Sequence, residues 1–319
     1  MKVLVLGGGR FVGHHLVAAA RCRGWPVTVL NHDPAPPAVP GISWRRGDRD
    51  RGDGLRAVAG EYWDLVLDTW AGPPLAVKRS LRAVAGRVGR YCYVSSMVAG
   101  TVAAMPGDDY RSRKRMAEEF VGEYAHAALI VRLGLLLGPR EFPGRLPYWL
   151  RRLAEPRPVL APGRSERPVR YVDVRDAAEA ILDAAALGAS GIHTLTSTPA
   201  SSTTMGALLS ASALVVGRTL PITWVADDIL LRDGATPWTE IPLWIPEHGM
   251  DFDAYAQESD LLPRRAGHGP ADSVAATWQW MTRQGGQVDP RNWLTLGREA
   301  ELLELAARFP SGSLCSLTC

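Results

Sequence analysis

The sequence is short of several things, and each shortage removes a class of function. No run approaches the roughly 18–20 uninterrupted apolar residues of a membrane-spanning helix, so no membrane partner is expected. The first residues read as a strand, without the charged region and cleavage site of a secretory signal. Four cysteines, Cys22, Cys92, Cys315 and Cys319, show no disulfide spacing, which fits a cytoplasmic setting. Charge of one sign is scarce too: 36 Lys and Arg against 33 Asp and Glu leave a net charge of +3, too small and too dispersed for nucleic acid. No His, Cys and Asp cluster has metal-ligand spacing, so no metal is expected. No G-x-S-x-G nucleophile elbow appears, which disfavours a hydrolase. The closing SGSLCSLTC has two thiols and no nearby histidine, and reads as a frayed terminus over 310–319.

What is present is alternation. Apolar runs at 3–6, 27–30, 42–46, 64–68, 90–96 and 128–134 are separated by helical patterns at 12–22, 53–59, 75–85 and 110–124. Strands that read as continuous apolar runs, each followed by a helix, indicate a parallel doubly wound sheet of Rossmann type. Right-handed crossovers then align the strands' carboxyl ends along one edge, where ligands bind. Beyond about residue 134 prolines and tryptophans thicken and the sheet-forming regularity is lost, while helical patterns persist at 173–187, 204–217, 270–284 and 296–309. The expectation is an α/β protein with a dinucleotide-binding domain over 1–185, an excursion at 135–165, and a smaller substrate lobe over 186–309 covering the cofactor edge.

The strict fingerprint G-x-G-x-x-G is also missing, because Val12 stands at its last position. Gly7 and Gly13 instead bracket a tight strand-to-helix turn. Gly8 and Gly9 let the backbone approach a pyrophosphate, helix N–H groups face it, and Phe11 and Val12 enter the helix facing the core. The stretch LVLGGGRFVGHHLV resembles the N-terminal motif of short-chain dehydrogenase/reductases, in the extended and atypical branch of NAD-dependent epimerase/dehydratase type. The extended pattern is G-x-x-G-F-I-G; Gly7, Arg10, Phe11, Val12 and Gly13 occupy those places, with Arg10 in place of the middle glycine.

The end of the second strand usually chooses the nucleotide, since an acid there bonds the ribose 2′-OH and repels a 2′-phosphate. Asn31 stands at that place and is neutral, Arg10 and His32 offer positive charge, and Asp33 two residues on argues the other way. NADP(H) is therefore favoured over NAD(H). The resemblance further implies that Asp48 and Arg49 of GDRD meet the adenine. It also implies that the backbone of Thr69, Trp70 and Ala71 passes the ribose and pyrophosphate.

Chemistry is offered by DYRSRKRMAEE. Tyr110 and Lys114, four apart, fall on one helix face one turn from each other. A neighbouring ammonium favours phenolate, bringing a tyrosine nearer to useful acid–base range. The resemblance adds that the lysine bonds the nicotinamide ribose and that a serine ending the preceding strand bonds the reacting oxygen. In YVSS the strand favours Ser96, the preferred candidate, and the following VAG favours Ser95. Downstream, VRLGLLLGP (131–139) and RYVDVRDAAEAIL (170–182) resemble later family segments, Asp173 in the second being an N-cap.

The resemblance implies an NAD(P)(H)-dependent oxidoreductase moving hydride to or from a small-molecule carbonyl or alcohol, with a homodimer left open. Two alternatives stand beside it. One is a sugar-nucleotide epimerase or dehydratase holding NAD tightly; for dehydration only Asp108 and Asp109 offer nearby carboxylates, which argues against it. The other is a non-redox enzyme or a binding or regulatory protein on the same fold, against which the Tyr110/Lys114 pair speaks. For the substrate, Trp149, Tyr148, Trp238 and Trp244 line a pocket or form lobe core, Arg140, Arg145, Arg164 and Arg167 are candidates for a diphosphate clamp, and His248 is a lone loop histidine.

Overall fold

The computed structural model describes residues 1–33, 35, 38–51, 54–100, 108–124, 127–142, 144–197, 202–218, 221–247, 259–261, 267–283 and 293–308. His248 and the 310–319 tail lie outside them. The chain divides into two compact units. The first takes in Met1–Leu136, Arg170–Ser201 and Asp251–His268; the second takes in Leu137–Val169, Ser202–Met250 and Gly269–Cys319.

The first unit is built on seven parallel strands. β1 (Val3–Leu6), β2 (Val27–Asn31), β3 (Ser43–Arg46), β4 (Trp63–Asp68), β5 (Val88–Ser96) and β6 (Leu129–Leu133) are joined by a seventh strand, Gly191–Leu195. Their spatial order is seventh–β6–β5–β4–β1–β2–β3, so the direction of winding reverses between β4 and β1. The seventh strand was not legible in GIHTL: it is half-exposed, pairing by backbone with β6 from Gly191↔Leu129 to Leu195↔Leu133. Residues 54–60 form turns where a helix over 53–59 was expected, with i→i+3 bonds such as Val58 N–H to Leu55 O.

Alternation along the strands sends side chains into two separate cores. Val3, Val5, Leu65, Leu67, Cys92 and Val94 pack with α1 (Phe11–Cys22) and the helix Val174–Ala186. Leu4, Leu6, Val66, Tyr91 and Tyr93 pack with α2 (Leu75–Val84) and α3 (Asp108–Tyr124). Each fully buried Leu or Val contributes about 1.5–3 kcal/mol, so the sheet is held rigidly and its carboxyl edge is a fixed platform. At that edge Leu6 stands level with Leu30 on one side and Asp68 on the other, and Asp68 with Tyr93.

The second unit carries helices Arg145–Ala154, Met205–Val216, Asp227–Arg232, Pro270–Arg283 and Leu296–Arg308, with a parallel pair of strands, Val159–Pro162 and Ile222–Val225. Trp149 and Trp244 are completely buried in it, which makes them lobe core: their indole N–H groups donate to Pro242 O at 3.0 Å and to Asp227 Oδ1 at 2.8 Å. A buried Arg152–Glu299 pair ties the first helix to the last.

Candidate active site

The loop after β1 is shaped by two glycines. Gly7 has φ +100°, and a Cβ there would lie 2.5 Å from Thr69 Oγ1. At Gly13 a Cβ would lie 2.1 Å from the Gly7 carbonyl oxygen, so only glycine lets α1 start this close under the strand. Thr69 braces the same loop, its hydroxyl lying 3.1 Å from Leu6 O and 3.2 Å from Gly7 O. Arg10 takes the N-cap position with extended backbone; no side chain caps α1 and no acid sits in its first turn. The helix Val174–Ala186, by contrast, is capped by Asp173, which accepts the Arg175 N–H at 2.9 Å. The open N-terminus and the glycine approach fit the pyrophosphate of a dinucleotide. Phe11 and Val12 are half-buried against the core.

Around this loop the side chains sort differently from the sequence reading. Asn31 is buried beside Gly9, its Nδ2 2.9 Å from where a Cβ there would stand and donating to Asp33 at 3.1 Å, while its Oδ1 takes the Trp44 indole N–H at 2.7 Å. His32 is exposed, 3.9 Å from the Asp33 carboxylate. That carboxylate lies beside Gly9, 2.7 Å from where a Cβ would stand, so the acid at the loop is Asp33. Asp48 lies in an outer turn, accepting the Asp50 N–H at 3.0 Å and facing Arg51 at 3.4 Å. Arg49 is buried behind the loop: its guanidinium lies on Asp68 at 2.7 Å, 3.3 Å from the Ser80 hydroxyl and 4.8 Å from the Trp70 ring, with Nη2 3.4 Å from Leu6 O. Ala71 is exposed.

The proposed acid–base pair sits on α3. Tyr110 is in the first turn with 37% of its surface open, and the Lys114 ammonium is 5.9 Å from its ring centre. Lys114 is buried, donating to Trp70 O at 2.6 Å and Val94 O at 2.8 Å, and lies 4.7 Å over the Tyr93 ring. Burial pushes Lys114 down to about 7, Arg49 pushes the same way, and the Asp68 and Glu118 charges oppose them. Burial likewise pushes the Tyr93 and Tyr91 hydroxyls up and the Cys92 thiol up to about 12, so these three stay protonated.

The two serines part company. Ser95 is buried and shares the strand face of Tyr93, which carries Lys114; its hydroxyl donates to Glu118 Oε1 at 2.5 Å. Ser96 is half-buried and, by alternation, shares the face of Cys92 and Val94, which weakens the preference for it. Glu118 is in turn held by Arg132, Nη2 at 2.7 Å and Nε at 3.0 Å. Sequence reading missed Glu118 and Asp68. The available signals were an acid four residues beyond Lys114 and an acid closing an otherwise apolar strand.

In the second unit the four arginines differ. Arg145 pairs with Glu141 at 3.3 Å and stacks 4.5 Å from the Trp238 ring, while Arg164 pairs with Glu247 at 2.7 Å. Arg140 has a left-handed backbone, φ +63°. Arg167 is 6% exposed, and its buried Nε and Nη2 have no hydrogen-bond partner among the described residues. Asp227 lies nearby but is occupied by the Trp244 indole and the Glu247 N–H. Tyr148 is half-buried, and burial pushes its hydroxyl pKa up. Among the described residues no group of three or more His, Cys, Asp or Glu could hold a metal ion, and no helix is long and apolar enough to cross a membrane.

The model of the NAD dependent epimerase/dehydratase family matches residues 79–194. No curated protein matches the sequence. Solved structures match the fold along most of the chain. The Bordetella bronchiseptica enzyme WbmH, in complex with NAD+, is 16% identical, with 89% of this chain and 99% of that one covered and a TM-score of 0.65. The UDP-glucose 4-epimerase of Thermus thermophilus, in complex with NAD, is 20% identical, with 89% and 99% covered and a TM-score of 0.63. Bordetella bronchiseptica WbmG, in complex with NAD and UDP, is 18% identical, with 89% and 96% covered and a TM-score of 0.63. Residues 79–194 thus carry the pattern of the NAD dependent epimerase/dehydratase family, on the Rossmann fold these enzymes share.

Proposed function

We propose that the chain is an NAD(H)-dependent enzyme of short-chain dehydrogenase/reductase type, acting on a hydroxyl- or carbonyl-bearing carbon of a small molecule. The observation that carries this reading is the buried Lys114 ammonium, seated on two carbonyls one helical turn below an exposed Tyr110. The residues around the glycine loop, with Thr69, Trp70 and Lys114, would hold the dinucleotide, and the nicotinamide supplies the hydride exchange. Tyr110 Oη gives a proton to the substrate oxygen on reduction, or takes it on oxidation, and the ammonium beside it favours the phenolate left behind. Ser95, on the face of Lys114, turns its hydroxyl from Glu118 to the reacting oxygen. Asp33 beside Gly9 supports NAD(H) in place of the NADP(H) suggested by Asn31, Arg10 and His32.

A second reading is favoured by Arg167. A buried guanidinium with two nitrogens that have no hydrogen-bond partner among the described residues suits an anionic substrate group, and the diphosphate of a nucleotide sugar has the right charge and acceptors. The enzyme would then oxidise and re-reduce one carbon with NAD held throughout, giving no net redox change.

Titration of purified protein with NADH and NADPH, read by nicotinamide fluorescence, tests both readings when the same sample is denatured to release bound nucleotide. Micromolar binding with NADH preferred supports a dissociable NAD enzyme. NAD released only on denaturation supports the epimerase-type cycle. No binding and no released nucleotide would sink the redox assignment of Tyr110 and Lys114.

A further inference from the structure

One buried group beside Lys114 has no part in the proposed chemistry. Asp68, the last residue of β4, has no exposed surface, and its carboxylate collects three donors. They are the Arg49 guanidinium at 2.7 Å, the Tyr91 hydroxyl at 2.5 Å and the Trp70 N–H at 2.9 Å. A carboxylate in a dry interior is strongly unfavourable unless paired and fully hydrogen-bonded, so this arrangement is demanding to keep. A well-packed apolar residue would serve the core at least as well.

The arrangement controls a single residue of backbone. The Trp70 N–H is held by Asp68, while the Trp70 carbonyl receives the Lys114 ammonium at 2.6 Å and the Tyr93 hydroxyl at 3.1 Å. The other seat of Lys114, Val94 O, belongs to β5 and is fixed by the sheet. The Trp70 carbonyl belongs to a loop and needs a separate anchor.

We propose that Asp68 is the positioning residue of this site: it fixes the loop carbonyl that seats Lys114, and together with Arg49 it sets the balance of charge around that ammonium. The inference rests on the role given to Lys114 above. The groups facing the ammonium come from every packed element. Asp68 stands at the end of β4, Arg49 in the loop after β3, Tyr91 and Tyr93 on β5, and Tyr110 and Glu118 on α3, with Arg132 of β6 neutralising Glu118. Asp68 and Glu118 favour the charged lysine; burial and Arg49 oppose it.

The test reads Lys114 directly. The chain has only three lysines, Lys2, Lys78 and Lys114, so the Cε resonances of 13C-lysine-labelled protein are assignable with Lys114→Met. Asp68→Asn is expected to lower the Lys114 midpoint by roughly one pH unit or more, and Arg49→Met to raise it by a smaller amount. Asp68→Asn/Arg49→Met returns it towards the wild-type value, and Arg49→Lys, which keeps the charge but not the fork, leaves it in place. A purely structural Asp68 would lower stability in the single variants without opposite shifts. Unchanged midpoints in folded Asp68→Asn overturn the proposal; if that variant does not fold by circular dichroism, an unchanged midpoint in Arg49→Met does so. The readout needs no turnover. These shifts in an inactive protein would refute the redox reading alone, and their absence in an active one would refute the Asp68 assignment alone.

Discussion

In the first unit the guanidinium groups at the sheet edge have their counter-ions, Arg49 on Asp68 and Arg132 on Glu118, while the Lys114 ammonium is seated on carbonyls. In the second unit Arg152 has Glu299, but Arg167 keeps two buried nitrogens without acceptors among the described residues. Both units bury guanidinium groups, yet for different ends. A paired ion in the interior holds a neighbour in place. An unpartnered one is unfavourable in the free protein and becomes favourable when an anion arrives. The first pattern braces a neighbouring group; on the second reading proposed above, the second would receive an anionic substrate group.

The contrast can be sharpened or broken by substitution. The largest effect belongs to the frame: Tyr110→Phe and Lys114→Met should each lower turnover by about 10²–10⁴-fold. Tyr110→Phe should leave NADH affinity nearly unchanged by fluorescence titration. If Tyr110→Phe instead abolished NADH binding, the tyrosine would be a cofactor contact and not the acid–base group.

Next come the two arginines compared directly. Arg49→Met strands Asp68 and should destabilise the fold by about 3–5 kcal/mol. Arg167→Met removes two buried nitrogens that have no hydrogen-bond partner among the described residues and should leave stability unchanged or raised, while weakening the binding of UDP or inorganic pyrophosphate. Urea unfolding of both variants decides this, and equal losses would end the distinction between the two arginines.

A smaller shift is expected at the glycine loop. Asp33→Asn should move the ratio of NADPH to NADH dissociation constants roughly tenfold towards NADPH, the worth of one charged hydrogen bond. An unchanged ratio would return the nucleotide choice to Asn31 and Arg10.

The last effect is one of pH. Burial lowers Lys114 to about 7 in the folded chain, whereas the unfolded lysine keeps its ordinary, much higher value. Below pH 7 both states hold the proton. Above it only the unfolded state does, so this group makes folding less favourable as pH falls from the ordinary lysine range towards 7, and no further below it; the unfolded state binds more protons throughout that window, so stability rises with pH across it. The melting temperature of wild type relative to Lys114→Met should therefore climb between about pH 7 and 9. A flat difference would mean that Lys114 is not desolvated.

Much of the fold was legible because local rules and tertiary structure agreed. Apolar strands such as VLVL and DLVLD appear where the alternation placed them, and Asp173 caps its helix as read. The seventh strand was hidden, since GIHTL is half-exposed and is ordered by pairing with β6 rather than by its own apolar content. Residues 54–60 misled through a helical pattern, the segment closing instead in i→i+3 turns.

Gly7, Gly13, Tyr110 and Lys114 were determined by the sequence alone, since glycine requirements and a spacing of four are local properties of a turn and a helix. The partners of each buried charge were decided only by the tertiary structure. Arg49 and Asp68 are 19 residues apart, Ser95 and Glu118 are 23, and Trp70 and Lys114 are 44. Which acid a buried cation meets depends on strand order and register, and neither is encoded within any short stretch of chain.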